Sequence, residues 1–309
     1  MSILSFSKTI EVLPSVAVPQ PLNSQPDVPV TLKIIQTGFR TLGPLFPKPA
    51  ARLAFRFFST PRVRARHKTS DALLESARIF EFLYGRRLLK GYEWGRGDKT
   101  VLLVHGWESR GTALRSFVPA LLARGYRVVA FDGPAHGNSG GKRTNLPHFA
   151  GAVRAAIRQV GPVHAIVTHS FGGASTVYAL SHLEPEIALD KLVLIAVPNH
   201  MQRVLENAGK TLGLPKSVSN EFLHLVENRF QAPLSEASVS NWANRLRVRA
   251  GLIVHDRYDP VVPFATAEQI FSTWNNASLL VAEGLGHYHL MKNPGLIERV
   301  ADFIHAPLE

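Results

Sequence analysis

The run Val163-His164-Ala165-Ile166-Val167-Thr168-His169-Ser170-Phe171-Gly172-Gly173 divides into two halves of opposite character. Its first half is short, apolar and β-branched, which predicts a buried strand. Its second half passes through small residues, Gly172, Gly173, Ala174 and Ser175, into residues 176–180, which read as a helix. Ser170 stands between the two. A serine on a sharp strand-to-helix turn has its hydroxyl pushed clear of the backbone. The helix that follows aims free N–H groups and the positive end of its dipole at whatever reacts there. That suits a nucleophile. An ordinary β–α turn with a serine N-cap fits the same residues, so the flanking sequence has to choose.

Outward from this run, strands and helices alternate. On the N-terminal side, 101–105 reads as an apolar strand and 111–124 as a helix closed by Gly125. Residues 127–131 follow as a strand, 132–145 as a Gly-rich loop and 147–160 as a helix with proline at its start. On the C-terminal side, 192–197, 251–255 and 278–282 read as strands, and 264–274 and 294–305 as helices. Continuous apolar strands alternating with helices predict a parallel sheet covered on both faces. Ligands then bind at the C-terminal ends of its strands. Residues 87–94 read as an opening strand and 71–85 as a helix. One segment, 199–249, breaks the alternation with several helices and is too long for a simple crossover. An inserted helical cap accounts for it, with Leu212, Leu214, Phe222, Leu225, Phe230 and Trp242 supplying an apolar pocket that excludes water. The expected division is a flexible lead-in at 1–30 and a basic, mostly helical extension at 31–87. The α/β body follows at 88–198 and 250–309, with the cap at 199–249.

Charge is unevenly spread. Thirty-five Lys and Arg against 23 Asp and Glu leave +12 over 309 residues. Residues 33–90 alone hold thirteen basic and three acidic residues, so the basic character belongs to the segment before the body. There Ile35, Phe39, Leu42 and Phe46 recur at helical spacing beside Lys33 and Arg40. A second apolar stretch, 50–58, carries Arg52 and Arg56, and Arg62, Arg64, Arg66, His67 and Lys68 follow. A basic amphipathic helix with aromatics fits an anionic membrane surface, which makes residues 31–68 a peripheral membrane contact on one reading. Packing of the apolar faces on the body, with the arginines solvated, is the reading the sequence favours. No base-reading module accompanies the cluster, so nucleic acid is not an expected partner. No run is long and apolar enough to span a bilayer, and no apolar signal region precedes Glu11. Cysteine is absent, which removes disulfides, thiolate metal sites and a Cys nucleophile. A cytoplasmic protein is the expectation.

A serine nucleophile needs a base, an acid that orients the base, and donors for the oxyanion, each at a strand end. For the base, Glu283-Gly284-Leu285-Gly286-His287-Tyr288-His289 follows the last strand and offers His287, with His289 as a rival. The His-x-His spacing also fits a metal pair, but no carboxylate–histidine cluster accompanies it, so no metal is expected. For the acid, both Asp256 and Asp259 lie in the exit loop of the preceding strand. Asp259 has the better spacing, and Asp256 reads as a turn-capping aspartate. For the oxyanion, the N–H of Phe171 follows the nucleophile. Trp107 in His105-Gly106-Trp107-Glu108 offers a second N–H where Gly106 lets the chain turn.

The order Ser170, Asp259, His287 is that of the α/β-hydrolase fold. From about residue 88 to 307 the chain resembles that superfamily on four separated motifs, each after its own strand. They are His105-Gly106-Trp107, Asp132-Gly133-Pro134-Ala135-His136-Gly137-Asn138-Ser139, Thr168-His169-Ser170-Phe171-Gly172-Gly173, and the Asp259 and His287 loops. The resemblance implies a mostly parallel, eight-stranded sheet with helices on both faces, a helical cap, and a triad of Ser170, Asp259 and His287. It implies a serine hydrolase of the carboxylesterase type acting on a small, apolar, ester-like substrate without a cofactor. A non-catalytic member of the same fold, binding a ligand or a membrane surface, is the alternative. Two departures stand out. The family's Gly-x-Ser-x-Gly has Thr168 at its first position. A literal Gly-x-Ser-x-Gly occurs instead at Gly137-Asn138-Ser139-Gly140-Gly141. Ser139 lies inside a loop with no helix after it, so Ser170 is the expected nucleophile.

Overall fold

A computed structural model of the chain describes residues 8–14, 29–65 and 71–308, and they fall into two compact units. The described residues of the first are 8–14, 61–65, 71–199 and 239–308. They form one sheet of nine strands. These are β1 (Ile10–Val12), β2 (Arg78–Tyr84), β3 (Arg87–Trp94), β4 (Thr100–Val104), β5 (Arg127–Phe131), β6 (Val163–His169), β7 (Ala188–Ile195), β8 (Arg247–Asp256) and β9 (Ala277–Ala282). Their order is β1-β9-β8-β7-β6-β4-β5-β3-β2. All pairings are parallel except β2 with β3 and β3 with β5. The chain leaves β4 for β5 on one side and returns to β6 on the other. The C-terminal ends of β4 and β6 therefore flank the point where the winding reverses, which is where such sheets bind ligands. Val104 pairs with Thr168, so the residues just past each strand are neighbours.

Burial explains the uninterrupted apolar strands. Leu102, Leu103, Val104, Ile166, Val167, Val193 and Leu194 are buried, as strands covered on both faces require. Burying each such side chain contributes about 1.5–3 kcal/mol. The rigid sheet that results is what holds the loops at its edge in fixed positions.

The described residues of the second unit are 29–60 and 200–238. Its described helices are Val30–Thr41, Pro47–Phe58, Met201–Leu212 and Lys216–Phe230. Extension and insertion were expected as separate pieces; here they share one core. The Phe58 and Phe222 rings meet edge to face at 5.9 Å, and the Arg229 guanidinium lies 4.1 Å from the Phe55 ring centre. Gln36 Nε2 donates to the Thr211 carbonyl at 2.9 Å. Helices this short do not hold in water alone, so pairing their apolar faces is what stabilises them.

Three expectations change. Residues 71–85 are not a helix: only Ala72–Glu75 is helical, capped by the Asp71 side chain, and β2 follows. In Arg78–Tyr84 the inward residues Phe80, Phe82 and Tyr84 recur with period two, the strand period. Phe80 covers Gly91 of β3, where a β-carbon would collide with its ring. The sheet has nine strands rather than eight, because residues 10–12 of the lead-in pair in parallel with β9. The helix expected at 111–124 is 3₁₀ over Gly111–Phe117 and α only over Val118–Ala123, where Pro119 takes an N-terminal helical position. Arg66, His67 and Lys68 lie outside the described residues.

Candidate active site

Four neighbouring strands are each followed closely by a non-glycine residue with positive φ. These are Glu108 (53°) after β4, Ala135 (66°) after β5, Ser170 (51°) after β6 and Ala196 (51°) after β7. Each such conformation costs on the order of 1–3 kcal/mol and persists only where the surroundings enforce it. All four lie at the C-terminal edge of the sheet.

At Ser170 the enforcing contacts are visible. Its N–H donates to the Ile195 carbonyl of β7 at 2.8 Å. Gly172 permits the close approach to β4: a β-carbon there would run into the Val104 and His105 carbonyls. Thr168 stands in place of the usual small residue, and its buried hydroxyl donates to the Val193 carbonyl at 2.9 Å. The Ser170 side chain caps no helical N–H, which removes the ordinary N-cap reading. Ser170 Oγ–H donates instead to His287 Nε2 at 3.1 Å.

His287 sits on the short helix Gly286–His289. Its Nδ1–H donates to Asp259 Oδ2 at 2.7 Å, and both side chains are buried. The other oxygen, Oδ1, accepts from the Val261 and Val262 N–H groups at 2.7 and 2.9 Å. Burial pushes the Asp259 carboxyl up. The hydrogen bond from His287 and the two amides outweigh it and hold the group below the ordinary aspartate value. His255 Nε2–H donates to the Val262 carbonyl at 2.8 Å and lies 3.7 Å from Asp259 Oδ2, bracing the acid loop from behind.

Across from Ser170, the loop after β4 turns at Glu108. The Glu108 N–H donates to His136 Nε2 at 3.0 Å, and Arg62 grips the carboxylate with a fork of two bonds at 3.0 Å each. The Arg62 N–H donates to the same carboxylate at 2.7 Å. Trp107 N–H has no acceptor among the described residues. Phe171 is the first residue of its helix, where an N–H has no intrahelical partner. The Trp107 ring meets Phe171 edge to face at 5.3 Å and His136 at 5.2 Å.

Three further histidines hold these loops as neutral rings. His105 accepts from the Gly133 N–H at 2.9 Å, and burial lowers it to about 4. His136 donates through Nδ1 to the Pro134 carbonyl at 3.0 Å, and burial lowers it to about 3. His169 donates through Nε2 to the His287 backbone carbonyl at 3.0 Å, and burial lowers it to about 3. Sequence reasoning did not assign roles to His136, His169 or Arg62. The one available signal was a histidine beside each motif glycine or serine.

The rival residues are engaged elsewhere. Ser139 is buried; its hydroxyl donates to the Asp132 carbonyl at 2.6 Å and accepts from the Lys90 N–H at 2.9 Å. Asp256 accepts from the Tyr258 and Leu285 N–H groups at 2.8 and 2.7 Å, tying the acid loop to the histidine loop. His289 is exposed and bonds the Leu285 carbonyl. Among the described residues, no three His, Cys, Asp or Glu are grouped to hold a metal.

The family model described as the alpha/beta hydrolase family matches residues 101–300. A non-heme haloperoxidase from Rhodococcus erythropolis is 29% identical over 266 residues, covering 70% of this chain and 92% of that protein. A bifunctional esterase/perhydrolase from Acinetobacter calcoaceticus is 29% identical over 198 residues, covering 57% and 70%. A solved esterase structure from Pyrococcus furiosus superposes with a TM-score of 0.60 at 22% identity, over 80% of this chain and 96% of its own; that likeness is one of fold.

Proposed function

The chain belongs to the alpha/beta hydrolase family, and from that premise we propose that it is a serine hydrolase cleaving a carboxylic ester or related acyl bond. The observation that carries this reading is the hydrogen-bonded line from Ser170 Oγ through His287 to Asp259, at 3.1 and 2.7 Å. His287 Nε2 takes the serine proton as Oγ attacks the carbonyl carbon. Asp259 fixes the Nδ1–H tautomer and stabilises the imidazolium that forms. The N–H groups of Trp107 and Phe171 receive the developing oxyanion; a donor of this kind is worth about 10²–10³ in kcat. His287 then returns the proton to the departing alcohol, leaving Ser170 acylated. A water deprotonated by His287 attacks the acyl carbon and frees acid and serine.

The names of the two relatives support a variant of the last step. Hydrogen peroxide in place of water would open the same acyl-enzyme and release a peracid, with the proton again passing through His287. A peroxide-dependent brominating assay separates the two outcomes.

Hydrolysis of short-chain p-nitrophenyl esters tests the reading. Ser170→Ala should lower kcat/KM by about 10⁴ or more. Turnover retained in that variant, or absent from the wild type over a panel of acyl chains, rejects it in favour of a binding protein on this fold.

A further inference from the structure

The helices Val30–Thr41 and Pro47–Phe58 each carry two apolar faces, and packing accounts for one. Inward, Phe39, Ala51 and Ala54 are buried and Phe55 and Phe58 half-buried. Outward, Ile34 is 66% exposed, Leu42 62%, Leu45 69% and Phe46 62%, with Val30, Leu53 and Phe57 also exposed. The other half of this unit, 200–238, exposes no large hydrophobic side chain.

Charge follows the same division. Residues 29–60 hold Lys33, Arg40, Lys48, Arg52 and Arg56 and no Asp or Glu, whereas 200–238 balance four Lys and Arg against four Glu. All five cations are exposed, and none pairs with an acid among the described residues. On Pro47–Phe58, Lys48, Arg52 and Arg56 form one i, i+4 row, and Pro49, Leu53 and Phe57 the next. On Val30–Thr41, Val30 and Ile34 run beside Lys33 and Arg40. Leu42, Pro44, Leu45 and Phe46 form an apolar tip between the helices. The Phe39 and Phe57 rings meet at 6.2 Å, which makes the two helices neighbours.

We propose that this face lies on an anionic bilayer surface, with Leu42, Leu45 and Phe46 entering the headgroup–acyl boundary and the five cations meeting acidic headgroups. Lysine and arginine stems can lie along the apolar rows while their charges stay in the headgroup layer. The helices have 12 residues each, about 18 Å, and so lie on a membrane rather than cross it. A second copy of the chain would oppose five cations with five more. A nucleic acid would use the cations and leave the apolar tip in water. The inference does not depend on the hydrolase reading.

Co-sedimentation of the full chain with vesicles of phosphatidylcholine, with and without phosphatidylglycerol, tests it. The protein should bind the mixed vesicles and not the neutral ones. Lys48→Gln/Arg52→Gln/Arg56→Gln should weaken partitioning on the order of 100-fold, and Leu45→Ser/Phe46→Ser about tenfold or more. Both variants should keep the wild-type circular dichroism spectrum and thermal midpoint. Equal binding to neutral vesicles, no binding, or wild-type partitioning of either variant overturns the proposal. So does tight binding of a DNA duplex without vesicle binding. So does a dimer, seen by ultracentrifugation, that Leu45→Ser/Phe46→Ser dissolves while vesicles are ignored.

Discussion

Two loops of the sheet unit each present a serine among glycines, and they use it in opposite ways. After β5, Ser139 sits in a literal Gly-x-Ser-x-Gly, yet its hydroxyl is spent twice on backbone, donating to Asp132 and accepting from Lys90. After β6, Ser170 lacks the first glycine of the motif, adopts a positive φ and keeps its hydroxyl for His287. The motif string reports only where the backbone can turn and approach closely. The role of the serine depends on which polar groups remain for it after the backbone is satisfied. Asp256 and Asp259 repeat the contrast: one carboxylate spends both oxygens on amides, and the other keeps one for an imidazole.

The sharpest break of that comparison comes from the aspartates. Asp259→Asn should lower kcat about 10⁴-fold, since an amide can hold the wrong histidine tautomer. Asp256→Asn should act chiefly on stability, read as a lower urea midpoint. Comparable kcat losses in both would erase the distinction.

Acid should separate the loops next. His105, His136 and His169 titrate near 6.5 when unfolded but only at about 4, 3 and 3 when folded. The unfolded chain therefore binds more protons between those values, and stability falls as pH drops from about 6.5 toward 4, by about 2 kcal/mol per histidine at pH 5. The Asp259 contribution is lost only lower still, because its folded value lies below the ordinary one. A Tm unchanged between pH 7.5 and about 5 would contradict the neutral-histidine account.

Ser139→Ala follows. It should cost about 1–3 kcal/mol of stability through the Asp132 carbonyl and Lys90 N–H left unpaired, while ester turnover stays within about threefold. The reverse pattern would make Ser139 part of the chemistry. Smallest is Arg62→Ala, which releases the Glu108 carboxylate behind Trp107. It should lower kcat about tenfold with KM little changed, as expected for a group that positions an oxyanion donor, and Arg62→Lys should restore part of the loss. A change in KM alone would assign Arg62 to substrate binding.

Much of the sheet was legible because parallel strands buried on both faces leave continuous apolar runs. Ser170, Asp259 and His287 stood out because each follows such a run. Residues 78–84 were missed because Ile79, Phe80, Phe82 and Leu83 supply apolar positions for either period; Gly91 beneath Phe80 settles the register only once β3 is its partner. Strand β1 is three residues held by an edge pairing more than 260 positions away, and no local pattern announces that. Arg62 acts across 46 residues, and a loop-bracing histidine such as His169 has the same letter as a base. The outward apolar face at 30–57 was not legible for a related reason: periodicity showed that these helices bury a face, but not that they leave a second one bare.

The central claim is that Ser170, not Ser139, is the activated hydroxyl. Treatment with a fluorophosphonate followed by peptide mass mapping tests it most directly. The account predicts one phosphonyl adduct, on Ser170, that disappears in His287→Ala. An adduct on Ser139, or none on the folded wild-type protein, would contradict it.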